Sequence, residues 1–250
     1  MGVLDSRRRR LLDEMGVPVW RLRPHADARP VSQAEGDVEA AAQAETETEA
    51  IPEPASRQAP ESAIDWAALL RGIRDCDRCP LHATRNQAVP GIGDQDARLL
   101  IVGEAPGAEE DRRGEPFVGR AGKLLDAMLA AIGLALQQGV YITNVVKSRP
   151  PQNRDPNAGE IAACRPWLEA QISLIRPEVI LAVGRVAAQS LTATTARMGE
   201  LRGRWHAYGE PAIPLIATYH PAYLLRSPTA KAKAWEDLLA LKRRLRAGGV

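Results

Sequence analysis

The sequence predicts an α/β fold: a three-layer αβα sandwich around a central parallel sheet of four strands. Two observations carry the prediction. Four short apolar runs, Leu99–Val102, Val140–Val146, Val179–Val183 and Ile213–Thr218, alternate with segments of helical pattern. Each run also breaks off in a polar or glycine-containing turn. Continuous apolar strands separated by helices are the signature of a parallel sheet covered on both faces.

Taken in order, Leu99-Leu100-Ile101-Val102 reads as a buried strand that leads into a glycine-rich turn, and Gly122 to Ile132 reads as a helix. Val140 to Val146 is the second strand, followed by a helix from Glu160 to Ile175. Val179 to Val183 is the third strand, closed by Gly184, with a helix over Ala187 to Leu191. Ile213 to Thr218 is the fourth, ending at His220-Pro221, and Ala230 to Arg246 is the last helix. Ligands of such sheets sit beyond the carboxyl ends of the strands. Chemistry is therefore expected at Gly103-Glu104, Asn144, Gly184 and His220.

The chain has 250 residues, 45% of them hydrophobic, and a net charge of +2. That suffices for one sizeable core. Charge is unevenly placed. Residues 1–26 hold six Arg against three acids, residues 27–61 two Arg against nine acids, and residues 62–250 twenty-five basic against nineteen acidic side chains. A basic body on an acidic tether suits a polyanion-binding domain. No run of eighteen apolar residues is present, and the N-terminus, charged at Asp5 and Arg7 to Arg10, does not read as a secretory signal. The expected compartment is the cytoplasm. Three cysteines, Cys76, Cys79 and Cys164, argue against a disulfide framework, and the C-x-x-C pair points to metal or redox chemistry.

The pattern divides the chain into residues 1–24, a short helix-forming peptide; residues 25–62, an Ala/Glu/Gln/Pro-rich linker; and residues 63–250, the folded domain. The linker has almost no large apolar residues and is expected to stay disordered. In the peptide, Ser6 caps a predicted helix over Arg7 to Met15, with Leu11, Leu12 and Met15 on one side. Trp20 beside Val17-Pro18-Val19 makes an anchor for a partner groove.

Individual residues at the strand ends suggest roles. Phe117, the only Phe of the chain, lies in a polar, glycine-rich loop where a base could stack on it. Asn144 offers a donor and an acceptor that suit the edge of a uracil-like base. His220 could donate to a carbonyl oxygen that gains charge as a glycosidic bond breaks. Leu224, Leu225 and Arg226 could wedge into a duplex. Each has a bland alternative: a core aromatic, a turn Asn, a structural His.

The ordered set is specific. Gly103-Glu104-Ala105-Pro106-Gly107, the stretch Gly114 to Gly122, Thr143-Asn144-Val145-Val146-Lys147, Arg149 to Pro156 and His220 to Arg226, preceded by Cys76-x-x-Cys79-Pro80-Leu81, resemble the successive motifs of the iron–sulfur (family 4) uracil-DNA glycosylases. The resemblance covers the chain from Cys76 onward. It implies a repair enzyme that removes uracil from single- or double-stranded DNA, in the bacterial cytoplasm and associated with the nucleoid. It implies Glu104 as the water-positioning acid, Phe117 as the stacking aromatic, Asn144 as the base reader and His220 as the group stabilising the leaving uracil anion. Gly103, Ala105, Pro106 and Gly107 would line the substrate pocket, and Arg149 would meet DNA. Ala105 stands where better-known uracil glycosylases carry a catalytic Asp.

The resemblance also implies a [4Fe–4S] cluster on Cys76, Cys79 and Cys164, but Ser148 stands where the family has its other Cys. Serine is a poor substitute for thiolate. Completion by Ser148 or water, a three-iron cluster and loss of the cluster are the alternatives. Residues 6–24 are similar to the N-terminal peptide of the psi subunit of the bacterial replicative clamp loader, and the last helix with Trp235 resembles the end of psi. That implies a clamp-loader partner, and as the competing function a psi-like adaptor with reduced catalysis.

Overall fold

The computed structural model describes residues 65–136 and 138–247. The expected peptide (1–24, with Leu12, Met15 and Trp20) and the linker (25–62) lie outside the described residues.

The sheet is made from six strands: β1 (Ile92–Gly93), β2 (Leu99–Gly103), β3 (Val140–Asn144), β4 (Val179–Val183), β5 (Trp205–Tyr208) and β6 (Ile213–Thr218). Their order is β1-β3-β2-β4-β6-β5. The four expected strands are its parallel centre, in register Gly103↔Asn144, Ile101↔Leu181 and Leu181↔Ile216. The expected count of four is corrected by one antiparallel strand at each edge. β1 is two residues long, and β5 has neither a continuous apolar run nor full burial, so neither carried a periodic signal.

Eight α-helices occupy the described residues: α1 (Trp66–Arg74), α2 (Ala108–Arg113), α3 (Arg120–Ala131), α4 (Ala158–Ile175), α5 (Arg185–Thr192), α6 (Met198–Leu201), α7 (Pro221–Arg226) and α8 (Lys231–Ala247). Alternation along the strands sorts the core into two halves. Leu100, Val102, Ile180 and Ala182 pack with Leu168 and Ile172 of α4 and Ala187 and Leu191 of α5. Leu99, Ile101, Val179 and Leu181 point the other way, onto Leu125 and Leu129 of α3 and Leu238, Leu241 and Leu245 of α8. This is the expected three-layer arrangement. No helix among the described residues is long and apolar enough to cross a membrane.

Three polar ties fix the strand ends. Asn157 caps α4 by accepting from Glu160 N at 2.9 Å, while Glu160 accepts from Asn157 N at 2.8 Å. Glu160, buried by this capping box, receives both arms of the Arg154 guanidinium at 2.8 and 2.6 Å, which holds its carboxyl below the usual range and pins the loop before α4. Asp237 of α8 accepts from Thr218 Oγ1 at 2.9 Å and from Arg202 at 2.8 and 3.1 Å. Thr218 lies two residues before His220, so this contact anchors the last strand end.

Candidate active site

β2 and β3 end side by side, and a glycine makes their meeting possible. A Cβ on Gly103 would stand 2.4 Å from Asn144 Oδ1 and 2.9 Å from the Phe117 ring. Only glycine lets the amide and the aromatic ring come together over that strand end. Phe117 adopts φ 56°, a left-handed conformation rare for a bulky residue. Its turn is seated on α3 at Gly122, where a Cβ would fall 1.4 Å from the Phe117 carbonyl oxygen. Glu110 ties the same loop by accepting from Gly119 N at 3.1 Å.

Behind Asn144 is a fully buried cation. Lys147 Nζ donates to Thr143 Oγ1 (2.6 Å), Asn144 O (2.7 Å) and Gln171 Oε1 (2.6 Å). Burial pulls the ammonium down to about 8. The contact staples the end of β3 to α4, and the Asn144 side chain itself remains free to line the pocket.

His220 is the N-cap of α7, and Gly184, at φ 96°, lets it approach: a Cβ there would lie 3.0 Å from His220 Cβ. Nδ1 accepts from Ala222 N at 3.2 Å, which places the proton of the neutral ring on Nε2. Burial pushes the ring's pKa down to about 4; Arg226 adds to the push and Glu110 opposes it. The ring is therefore neutral near pH 7, and its free nitrogen is an N–H donor.

Glu104, at the end of β2, behaves oppositely. Burial, then the charge of Asp155 and a hydrogen bond with it, push its carboxyl up to about 7; Arg185 opposes them. Asp155 is itself ion-paired with Arg185 of α5.

These residues share one cavity of about 430 Å³, which collects Glu104, Ala105, Pro106, Gly107, Phe117, Asn144, His220 and Arg226 from the expected set. Gly103 lies beneath it. Arg149 is not on the wall; its Nε donates to Asn153 Oδ1 at 2.8 Å, and Asn153 is a wall residue. Sequence reasoning missed Glu110, Asn153, Arg154, Asp155 and Tyr223 on the same wall. The signal for Arg154 and Asp155 was present in the Arg149–Pro156 motif, to which no chemistry had been attached.

One expectation is corrected. Leu224 is 1% exposed and packs with Ala230 and Ala234, so it cannot enter a duplex. His220–Arg226 is a helix turn rather than a loop, and its side chains fan around an axis. Tyr223 (41%), Leu225 (38%) and Arg226 are the exposed ones.

The three cysteines also lie near one another. Trp167 Nε1, one turn beyond Cys164 on α4, donates to Cys76 Sγ at 3.2 Å, and Lys147 N donates to Cys164 Sγ at 3.2 Å. Cys79 packs against the core group that contains Cys164. Burial pushes the Cys164 thiol up, with Lys147 opposing and Cys79 and Cys76 adding to the rise. Ser148, next to Lys147, is buried and accepts from Arg85 Nη1 at 2.9 Å. Soft sulfur ligands with N–H donors aimed at them fit an iron–sulfur group at three corners. No trio of His, Cys, Asp or Glu among the described residues stands ready for a single metal ion.

Fold and site define an α/β protein with a pocket of about 430 Å³ at the carboxyl ends of its strands, lined by an amide, an aromatic face, a neutral imidazole donor and a carboxyl poised near neutrality. Comparison with known proteins narrows the class. Residues 90–239 match the family model of the uracil DNA glycosylase superfamily. The type-4 uracil-DNA glycosylase of Pyrobaculum aerophilum is 44% identical over 182 residues, 70% of this chain and 92% of that protein. The type-4 enzyme of Thermotoga maritima is 45% identical, over 62% of this chain and 80% of its own length. A type-5 uracil-DNA glycosylase of Thermus thermophilus is 40% identical, over 63% and 87%. The chain belongs to the uracil DNA glycosylase superfamily and, within it, to the type-4 family.

Proposed function

We infer that this chain is a DNA repair enzyme that hydrolyses the N-glycosidic bond of uracil in DNA. The observation that carries the reading is the convergence of Asn144, Phe117 and the neutral, Nε2-protonated His220 on one cavity. In this reading the base is taken out of the stack into the pocket, faces Phe117 and is read by the Asn144 amide. As the C1′–N1 bond breaks, its electron pair passes to uracil and charge develops on a carbonyl oxygen. His220 Nε2–H donates to that oxygen, from a ring that carries no charge of its own to neutralise. Water attacks the sugar cation at C1′, and the Glu104 carboxylate takes the released proton.

Uracil-containing single- and double-stranded oligonucleotides test this, with an Asn144→Ala/His220→Ala double variant as control. Abasic product from the wild-type chain alone is expected; none under any condition would sink the reading.

The cysteines support a cofactor: Cys76, Cys79 and Cys164 would hold an iron–sulfur cluster. Such a cluster would brace the loop of Cys76 and Cys79 against α4 and the exit of β3, and no step of the hydrolysis runs through it.

Residues 1–24 are proposed as a docking peptide for a replication protein, of the clamp-loader type that the psi-like pattern around Trp20 suggests. The psi-like adaptor with reduced catalysis is the weaker alternative, because Glu104, Phe117, Asn144 and His220 are all in place. Pull-down of clamp-loader subunits by residues 1–26 tests the docking role. No enrichment over a Trp20→Ala peptide would count against it. A bacterial, nucleoid-associated cytoplasmic setting follows from these proposals.

A further inference from the structure

Ser148 stands in the sequence where the family has its other cysteine, next to Lys147, whose N–H donates to Cys164 Sγ, and its hydroxyl is already engaged. Arg85 Nη1 donates to Ser148 Oγ at 2.9 Å, and Nη2 of the same guanidinium donates to Arg74 O at 2.7 Å. Arg74 ends α1, two residues before Cys76. The fork therefore ties Ser148 to the segment that carries the first cysteine. Guanidinium keeps its charge at any working pH and is a fixed, planar double donor. For Ser148 to bind iron as a ligand, its Oγ would have to lose a proton and turn away from Arg85, at the cost of a charge-assisted hydrogen bond at a buried site.

The charges fit a three-thiolate arrangement. Three thiolates around a [4Fe–4S] core of charge +2 leave a net charge of −1, and the Arg85 cation is hydrogen-bonded to Ser148, the residue without a thiolate.

We propose that Cys76, Cys79 and Cys164 hold the cluster through three thiolates while Arg85 keeps Ser148 off the metal, so that the fourth iron has no protein ligand and is released on oxidation. The inference rests on the cluster reading above and adds its coordination. The release balances as follows. A one-electron oxidant such as ferricyanide takes one electron from [4Fe–4S] of charge +2. The oxidised core then sheds Fe²⁺ from the open corner and leaves [3Fe–4S] of charge +1.

The test uses the full chain, purified and reconstituted without oxygen with ferrous iron and sulfide, as wild type, Ser148→Ala and Ser148→Cys. Iron and acid-labile sulfide are counted and EPR spectra recorded before and after ferricyanide. In wild type and Ser148→Ala alike, the ratio should fall from four irons to three per four sulfides, with the near-isotropic signal of an oxidised three-iron cluster appearing. Ser148→Cys should keep four irons and stay free of that signal under the same addition. Four irons retained by the wild type would overturn the open corner. So would a Ser148→Ala protein that sheds iron where the wild type does not, since Ser148 would then be a ligand. A wild-type chain that binds neither iron nor sulfide would overturn the cluster reading with it. Wild type against Ser148→Ala decides the matter even if Ser148→Cys fails to fold. Uracil release, assayed separately on the same preparations, reports on the glycosylase reading alone.

Discussion

Phe117 and His220 are stacked, with ring centroids 5.6 Å apart and planes 27° from parallel. The separation leaves no room for a base between them, so the two rings form one wall rather than the jaws of a clamp. In the proposed mechanism Phe117 therefore has two tasks: it offers a face to the base and it fixes the plane of the imidazole that donates to it.

The first prediction follows from that double task. His220→Ala should lower kcat by roughly 100- to 1,000-fold, the usual loss of one donor aimed at developing charge. Phe117→Ala should lose the stacking energy of a base, about 1–3 kcal/mol. Because the imidazole also loses its support, part of the loss should fall on kcat rather than on KM alone. Single-turnover uracil release on a saturating oligonucleotide separates the two. A purely KM effect for Phe117→Ala would contradict the shared wall.

The pH profile gives a second prediction. The groups around Glu104 are Glu110, Arg154, Asp155, Arg185, His220 and Arg226. His220 titrates near 4, so it stays neutral across the working range, and the acid limb of kcat/KM should follow Glu104, near 7. Asp155→Asn removes a charge and a hydrogen bond that raise Glu104, and the limb should move to lower pH, though burial still keeps it above the ordinary carboxyl. Arg185→Gln removes an opposing charge, and the limb should move up. Opposite shifts are the signature; shifts in the same direction would mean that the variants act through loop geometry. The same linkage acts on stability. Glu104 binds its proton more tightly in the folded chain, so stability should fall as pH rises from 4.5 toward about 7 and level off above. Glu104→Gln should be slower by roughly 100-fold or more, and more stable than wild type at pH 8 but not at pH 4.

What the sequence made legible follows burial. The four central strands were readable because each is apolar throughout, and the pocket was readable because parallel sheets place ligands at strand ends. The edge strands were not, since Ile92-Gly93 is too short to show a period and Trp205 to Tyr208 is half-exposed. Asp155 was hidden for a different reason. Its role comes from Glu104 and Arg185, neighbours that only the folded chain supplies. Leu224 was misread because a wedge was assumed where α7 turns each successive side chain by about 100°.

Leu224 and Leu225 yield a third prediction. Leu224→Ala should cost about 2–5 kcal/mol of stability as a core truncation and affect single- and double-stranded substrates alike. Leu225→Ala should change stability by less than about 0.5 kcal/mol, yet weaken excision from duplex relative to single strands, because an exposed apolar side chain next in sequence to the pocket residue Arg226 helps only where a stack must be opened. Thermal unfolding and paired excision assays on the two strand forms check this. A duplex-specific defect in Leu224→Ala and none in Leu225→Ala would reverse the assignment.

Lys147 carries the last prediction. Among the described residues its ammonium has no carboxylate partner; three oxygens hold it, one of them the carbonyl of Asn144. Lys147→Met keeps the volume and removes the donors. Thr143 Oγ1 still donates to Pro90 O or Gln171 Oε1, so its loss is small. The buried Asn144 carbonyl loses its Lys147 partner, which costs about 1–3 kcal/mol, while Gln171 Oε1 still accepts from Thr143 Oγ1. The backbone of Asn144, the proposed base reader, then loses its tether to α4, so the substitution should harm excision more than its stability cost explains. Discrimination between uracil and cytosine-containing oligonucleotides should weaken as the Asn144 amide loses its fixed orientation. A Lys147→Met variant that loses stability but keeps the wild-type excision rate and base discrimination would show that Lys147 braces the fold without orienting Asn144.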